Sequence, residues 1–362
     1  MKPRMTRAGA LAGGITLLVS LTACGGGGNT TATGAAASDA PGQQKDSYVI
    51  GVSNTLVGNG WREEMICSVK AEALASGKVS KVVVANRNGG PTEQIADLRQ
   101  LISQGVNAII VNPSDPAKLD PVIKQAKARG VIVVAVDQAV SAPEALVVAN
   151  DQVAYGRLGG EWLAKAIGGK GNVVEMRGIA GAPADNDRHK GFTEALAKYP
   201  EVKVVKEVYT GWDYSKGGQQ ALDLLNSSDK VDGIWTSGID YTVVKAFETL
   251  KKPYAPVVGA DNNEFINQIS SLHGKGFVGA AVTNPAAIGG VGTSIALQAL
   301  SGAQVPRETF LAPEVWDVES AKDKLAANYF PDREATFSAR VTVEPHTHYT
   351  PEQLFACKGP GE

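Results

Sequence analysis

The 362 residues carry 35 Lys and Arg against 37 Asp and Glu, a formal net charge of −2. With no basic excess there is no field to hold nucleic acid, and that partner class is excluded. Apolar residues make up 43% and charged residues 20%, the balance of an ordinary globular protein long enough for two domains.

The chain opens with Lys2, Arg4 and Arg7, then an apolar run over 8–19, then Leu21-Thr22-Ala23-Cys24. A basic start, an apolar run and small residues before a cysteine form a lipoprotein signal. Residues 1–23 are expected to be removed and Cys24 to be acylated. The apolar run is short for a membrane span, which takes about 20 residues. Residues 24–46 are mostly Gly, Ala, Thr and Ser, too poor in bulky apolar side chains to offset the entropy of ordering them. They predict a flexible tether holding a folded body off the membrane, outside the cytoplasm.

From residue 47, β-branched runs alternate with helical patterns. A strand is expected at 48–53, then a helix over 60–76 with Met65, Val69 and Ala73 on one face. Strands follow at 81–85, 108–111 and 131–136. Between them lie helices carrying Ile95, Leu98, Leu101 and Ile102, and then Leu119, Val122, Ile123 and Ala126. The series restarts with strands at 172–176, 202–205, 233–236, 257–260 and 277–282, and with helices such as 186–198 and 215–226. Near-continuous apolar strands between amphipathic helices imply parallel sheets covered on both faces. Two such series predict an α/β fold of two doubly wound lobes. After about residue 313 the pattern breaks and leaves one isolated alternating run, 336–341.

In open α/β sheets, ligands sit beyond the carboxyl ends of the strands. Those places hold Asn54, Asn59, Trp61 and Arg62; 112–115; Asp137 and Gln138; Arg177 with 185–188; Trp212 and Asp213; Ser237, Gly238 and Asp240; Asp261, Asn262 and Asn263; Thr283 and Asn284. Carboxylates and amides offer paired donors and acceptors to adjacent hydroxyls. Arginine adds a fixed fork of donors, and tryptophan a flat face for the C–H side of a sugar ring. The set fits a neutral ligand with many hydroxyls. Singly, each Asp or Asn also reads as a helix cap or turn residue, Trp61 as core, and Asn112-Pro113 as a strand terminator. Their gathering at one edge of two sheets is what sets them apart.

No nucleophile stands beside a histidine, and His189, His273, His346 and His348 form no catalytic pattern. His346 and His348 read as part of a solvated tail, since no other metal-ligand spacing accompanies them. No enzyme activity, cofactor or metal is expected. With Cys24 acylated, Cys67 and Cys357 remain. In an oxidising compartment they predict one disulfide, pinning the tail to the first lobe, with two buried thiols as the alternative.

The segments GNGWREEM, QLISQGVNAIIVNPSDP, GVIVVAVDQA, NDQVAYGRLGGEWLAKAIGGKGNVVEMRGIAGAPADNDRHKGF, TGWDYSKGG, VVGADNNEF and AAVTNPAAIGG follow one another in order. Through them the stretch 48–312 resembles the type I periplasmic sugar-binding proteins of ABC transporters, the ribose- and galactofuranose-binding group. The resemblance implies that Trp61 and Arg62, with Asn59 just ahead, supply first-lobe stacking and polar contacts. It implies that Asp137 grips sugar hydroxyls, that Arg188 is the second-lobe arginine, that Trp212 stacks, and that Asp261 is the acid after a late strand. Gln138 stands where ribose binders often carry arginine. Gly238 replaces an asparagine, with Asp240 as its substitute, and Thr283 replaces a glutamine, with Asn284 beside it. These departures count against ribose itself.

The resemblance also implies three crossings between lobes, near 140–150, 283–286 and 312–316. The first lobe is then expected to hold 47–145 and 285–312, the second 146–284, with 313–362 a C-terminal tail. The expected partners are a small sugar or polyol, an ABC transporter permease and, through Cys24, the cell membrane; the protein is expected to be a monomer. A DNA-binding regulator with the same core would need a helix-turn-helix where the signal and tether stand. A sugar-sensing receptor subunit for a membrane signalling system is the alternative function.

Overall fold

The computed structural model describes residues 47–227 and 230–362; the signal peptide, Cys24 and tether expected over 1–46 lie outside them. The first series runs β1 (Tyr48–Asn54), α1 (Gly60–Ser76), β2 (Val79–Asn86), α2 (Pro91–Ser103), β3 (Ala108–Val111), α3 (Asp120–Ala128), β4 (Ile132–Val136) and β5 (Leu146–Asn150). The second runs α4 (Gln152–Ala166), β6 (Lys170–Arg177), α5 (Pro183–Leu196), β7 (Glu201–Tyr209), α6 (Tyr214–Asn226), β8 (Gly233–Thr236), α7 (Asp240–Leu250), β9 (Val257–Ala260), α8 (Asn263–Ser271) and β10 (Gly279–Val282). The chain then adds α9 (Ile288–Leu300), β11 (Glu308–Leu311), β12 (Val315–Trp316), α10 (Lys322–Ala327) and α11 (Pro351–Ala356).

One sheet has the order β11-β5-β4-β3-β1-β2, all parallel. The other is β12-β10-β9-β8-β6-β7, parallel except for β12. Alternation along the strands explains why both sheets are covered on two faces. On β3, Ile110 packs with Met65, Val69, Val291 and Ile295 of α1 and α9, while its neighbour Ile109 packs with Leu98, Leu101, Val122 and Ile123 of α2 and α3. On β8, Ile234 faces Val243, Phe247 and Phe265, while Trp235 faces Tyr155, Leu163 and Phe192. Each fully buried side chain of this size contributes roughly 1.5–3 kcal/mol. The fold is thus α/β with two doubly wound sheets.

The lobe boundary expected after residue 145 is corrected. Leu146–Asn150 pairs with β4 and β11, so it belongs to the first sheet. The chain leaves that sheet at Asp151, whose side chain caps α4 by accepting the N–H of Ala154. It returns between β10 and α9, and leaves again between β11 and β12. The alternating run 336–341 forms no strand: Ser338 makes a single bridge to Asn262, and the neighbouring main chain bonds to the start of α8.

Cys67 and Cys357 form a disulfide with Cα atoms 4.5 Å apart. Beside it, Leu354, Tyr349 and Val341 of the tail pack on Ala71 of α1, with Phe330, Phe337 and Phe355 against them.

Candidate ligand site

Asn59 follows β1 in extended backbone, and its side-chain oxygen accepts the N–H of Arg62. This cap starts α1 so that Trp61 and Arg62 stand on its first turn, beyond the strand ends. Asp213 caps α6 and Asn262 caps α8 in the same way. The helix-cap reading of these residues is therefore correct, and it coexists with a place at the cavity: Asn59 and Asn262 do both.

A cavity of about 540 Å³, its mouth included, opens between the two sheets. From the first series it is lined by Leu56, Asn59, Trp61, Arg62 and Asp137. From the second it takes Arg188, Trp212, Tyr214, Ser237, Gly238, Ala260, Asp261 and Asn262. Asn284 comes from the passage back to the first sheet, and Thr336 and Ser338 from the tail. Of the residues expected to contact the ligand, Gln138 and Asp240 do not line it, and of the other strand-end positions Asn54, 112–115, Arg177, Asp213, Asn263 and Thr283 also stand outside it.

Gln138 is spent elsewhere. Its amide donates to Asn112 Oδ1 and to the Pro113 carbonyl, both at 2.9 Å, and its oxygen receives the N–H of Ala184 at 3.4 Å. Asp240 is fully buried behind the wall, where it accepts from Thr236 Oγ1 and from Asn262 Nδ2. It holds Asn262 in place from behind. Burial pushes its carboxyl up to about 7, hydrogen bonds from the main chain pull it back, and Asp261 pushes it further.

Gln152 joins the polar groups. Its amide donates to Asp137 Oδ1 at 2.8 Å and to Asn284 Oδ1 at 3.2 Å, and its oxygen accepts from Arg188 Nε at 2.7 Å. One buried amide therefore sets the orientation of an acid from the first series, an amide at a crossing and an arginine from the second. Arg188 also donates to the carbonyl and hydroxyl of Ser237, at 3.1 and 3.2 Å, and lies over the ring of Tyr155. Arg62 lies beside Asn54 Oδ1 at 3.3 Å. Burial lowers its guanidinium to about 10, with Asp137 opposing and Arg188 adding to the shift, so it remains charged at neutral pH.

The two indoles are fixed by their edges. Trp61 Nε1 donates to the Asn284 carbonyl at 2.6 Å, and Trp212 Nε1 to Ser237 Oγ at 3.2 Å. Trp212 lies on Gly178, where a Cβ would stand 2.1 Å from the ring. Gly178 is held there by Asp185, which takes its N–H at 2.6 Å and is itself bonded twice by Arg177.

Asp261 is 1% exposed. One carboxyl oxygen accepts the N–H of Asn284 at 2.9 Å; the other is buried with no hydrogen-bond partner. Burial raises its carboxyl above the ordinary range, against hydrogen bonds from Asn284 and from its own main chain. A buried acceptor without a donor is costly unless a ligand supplies one. Two guanidiniums face two carboxyls here, which leaves little net field for an ionic ligand.

Sequence reasoning missed Gln152, Tyr214, Thr336 and Ser338. Tyr214 follows the α6 cap directly. Thr336 and Ser338 sit two apart in the alternating run, which was the available signal. Elsewhere, Glu175, His189 and Glu207 bring potential metal-ligand atoms within 4.8 Å of one another. They lie outside the cavity, with His189 Nδ1 on Glu175 at 2.8 Å and Glu207 beside Arg177 at 3.2 Å. His348, away from the cavity too, pairs with Glu72 at 2.7 Å.

Residues 50–304 match the periplasmic binding protein domain. A xylitol-binding protein of Mycolicibacterium smegmatis is 28% identical over 77% of this chain and 76% of its own length. A galactofuranose-binding protein of Escherichia coli is 32% identical over 56% of this chain and 65% of its own. The crystal structure of an ABC transporter solute-binding protein from Thermobispora bispora superposes with a TM-score of 0.71 at 31% identity, covering 79% of this chain and 90% of that one. Membership implies an extracytoplasmic location. The chain belongs to the periplasmic binding protein family, whose members bind solutes and are not enzymes.

Proposed function

We propose that this protein captures a monosaccharide or sugar alcohol in the cavity between its lobes and delivers it to the permease of an ABC transporter. The observation that carries the reading is Asp261: a buried carboxyl with one oxygen fixed by Asn284 and the other awaiting a donor, in a cavity walled by Trp61 and Trp212. A ligand hydroxyl supplies that donor. Asp137 and Asn284 take and give further hydroxyl bonds, Arg62 and Arg188 donate to ring or hydroxyl oxygens, and the indoles cover the C–H faces. That relatives bind xylitol and galactofuranose supports the ligand class.

In this reading Cys24 carries the lipid that holds the protein at the cell membrane, residues 24–46 give it reach, and it works as a monomer. The experiment is a thermal-shift screen of the exported protein against pentoses, hexoses, furanoses and polyols, followed by calorimetry of each hit. A ligand present at 100 times its Kd raises stability by about 2.7 kcal/mol. Stabilisation by a neutral polyhydroxyl compound is expected. A flat screen with these compounds, and a response to amino acids or ions instead, rejects the proposal.

A further inference from the structure

The family match ends at residue 304, yet Thr336 and Ser338 line the ligand cavity. The path of the tail explains how. After β12 and α10, which belong to the second sheet and its helices, the main chain runs along the start of α8. Asn263 bonds both ways with Phe330, its N–H donates to the Phe337 carbonyl at 2.7 Å, and the N–H of Glu264 donates to the Ala335 carbonyl at 3.1 Å. The N–H of Ala339 donates to the carbonyl of Asp261 at 2.7 Å.

At the same place the tail grips the first lobe. The N–H of Ser338 donates to Glu64 Oε2 of α1 at 2.6 Å, and Ser338 Oγ receives the N–H of Ala286 at 3.3 Å. The chain then lies on α1, where the His348 N–H donates to Glu72 at 2.8 Å and Cys357 is bonded to Cys67. Beyond the three passages between sheets, residues 330–357 therefore make a fourth connection, and it crosses at the cavity wall.

We infer that this segment is part of the binding device: it forms a third wall of the ligand cavity and straps the two lobes together, and the Cys67–Cys357 bond keeps it seated, so that ligand retention is sensitive to thiol reductants. The inference rests on the proposed capture of a sugar or polyol in this cavity. Cys67 and Cys357 are only partly buried, and a groove lined by both, by Glu64 and by Phe355 leads to them. A dithiol reductant therefore has access. Its thiols transfer two electrons and two protons, leaving Cys67 and Cys357 as thiols and the reductant as its own cyclic disulfide. Released, the end of the tail loses its covalent hold on α1. Among the described residues, the polar ties then left between the strap and the first lobe are the Ser338 bonds to Glu64 and Ala286 and the His348 bonds to Glu72.

The test uses the whole mature protein, oxidised, reduced with dithiothreitol, and as the Cys67→Ser/Cys357→Ser variant. Hydrogen exchange without ligand follows the amides of Asn263, Ser338 and Ala339; calorimetry and stopped-flow with xylitol and D-ribose as probes follow binding. Expected on reduction, with far-UV circular dichroism unchanged, is at least tenfold faster exchange at Ser338 and Ala339 and at least fivefold faster release of a bound probe. Thr336→Val in the oxidised protein is expected to change the ratio of the two probe affinities by threefold or more. Unchanged exchange on reduction overturns the strap, as does unchanged release in a protein that binds either probe. If the oxidised protein binds no sugar or polyol, the proposed function fails, while the exchange measurement still decides the strap.

Discussion

The side-chain amide of Asn59 reaches across the cavity to the main-chain carbonyl of Trp212, 3.1 Å away, while its oxygen caps α1 through the N–H of Arg62 at the same distance. One residue thus starts a helix of the first lobe and touches the second. The two roles separate by substitution. Serine keeps a cap but is too short to reach Trp212. Asn59→Ser is expected to hold unfolding stability within about 0.5 kcal/mol, whereas Asn59→Ala costs about 1 kcal/mol. Both are expected to weaken ligand binding severalfold. Urea unfolding and calorimetry on the two variants check this; an Asn59→Ser protein with undiminished affinity would mean that the Asn59–Trp212 contact contributes nothing to ligand binding.

Asp137 and Asp261 are expected to dominate the polar contribution to affinity. Asp137 sits at φ 68°, where an alanine carries a backbone cost that an asparagine largely avoids. Asp137→Asn is therefore the cleaner variant. It keeps an acceptor for Gln152 but removes the charge facing Arg62. Asp261 has ordinary backbone, and Asp261→Ala removes its unpartnered oxygen outright. Each is expected to cost about 1.5–3 kcal/mol in binding, a loss of tenfold or more. The fold should survive, as seen by circular dichroism. Wild-type affinity in both variants would reject the site.

Much of this site was legible because of where it lies. Strands such as Ala108–Val111 and Ile132–Val136 are near-continuous apolar runs, and the residues that follow them must sit at the sheet edge. Leu146–Asn150 is as long as Ile132–Val136, but it follows that strand with no helix between them, so the strand–helix alternation does not mark it; Glu308–Leu311 leaves Phe310 61% exposed, so no burial pattern marks it. Asp240 and Asp137 look alike in sequence, each just past a strand. They part because Asp240 is the first residue of a helix and turns inward to Thr236 and Asn262, a choice made by packing. Gln138 was assigned to the site by position alone, and three hydrogen bonds hold it to the wall behind. Thr336 and Ser338 stand in an alternating run, but what brings that run to the cavity is the tail's bonding to α8 and α1, which the alternation does not encode.

The buried acids give the stability a pH slope. Asp240 titrates at about 7 when folded against an ordinary 3.8, because burial disfavours its charged form. Between those values the native state holds a proton that the unfolded state has released. Stability contributed by this group is therefore present below about pH 4 and is lost as pH rises towards 7, with a slope of up to about 1.4 kcal/mol per pH unit. Glu175, raised by burial to about 7, and Glu64 and Asp261, also raised by burial, act in the same direction. Asp240→Asn removes one titrating group and keeps the size, so it should flatten the fall without abolishing it. Urea unfolding of the ligand-free proteins from pH 4.5 to 7.5 measures both slopes. Parallel curves for wild type and variant would mean that Asp240 is ionised throughout.

The packing of α4 on α5 offers the sharpest contrast between two similar changes. A Cβ at Gly156 would stand 1.9 Å from the carbonyl oxygen of Arg188 and 2.8 Å from the main-chain nitrogen of Phe192. These are backbone atoms of a packed helix and cannot rotate away, so the two helices must separate. That movement strips contacts from Phe192 and Trp235, whose rings lie 5.1 Å apart, and shifts the turn that carries Arg188 into the cavity. At Gly218, inside α6, a Cβ meets nothing closer than Thr242 Cβ at 3.4 Å, an ordinary contact. Alanine there gains helix propensity, up to about 1 kcal/mol. Gly156→Ala is expected to destabilise by at least the roughly 1–3 kcal/mol of an overpacked core. Ligand affinity should fall with it, because Arg188 leaves Gln152 and Ser237. Gly218→Ala should be neutral or stabilising, with affinity unchanged. Urea midpoints and calorimetry on the pair decide the matter: a Gly156→Ala protein as stable as Gly218→Ala would mean that α4 and α5 are not in close contact at that turn.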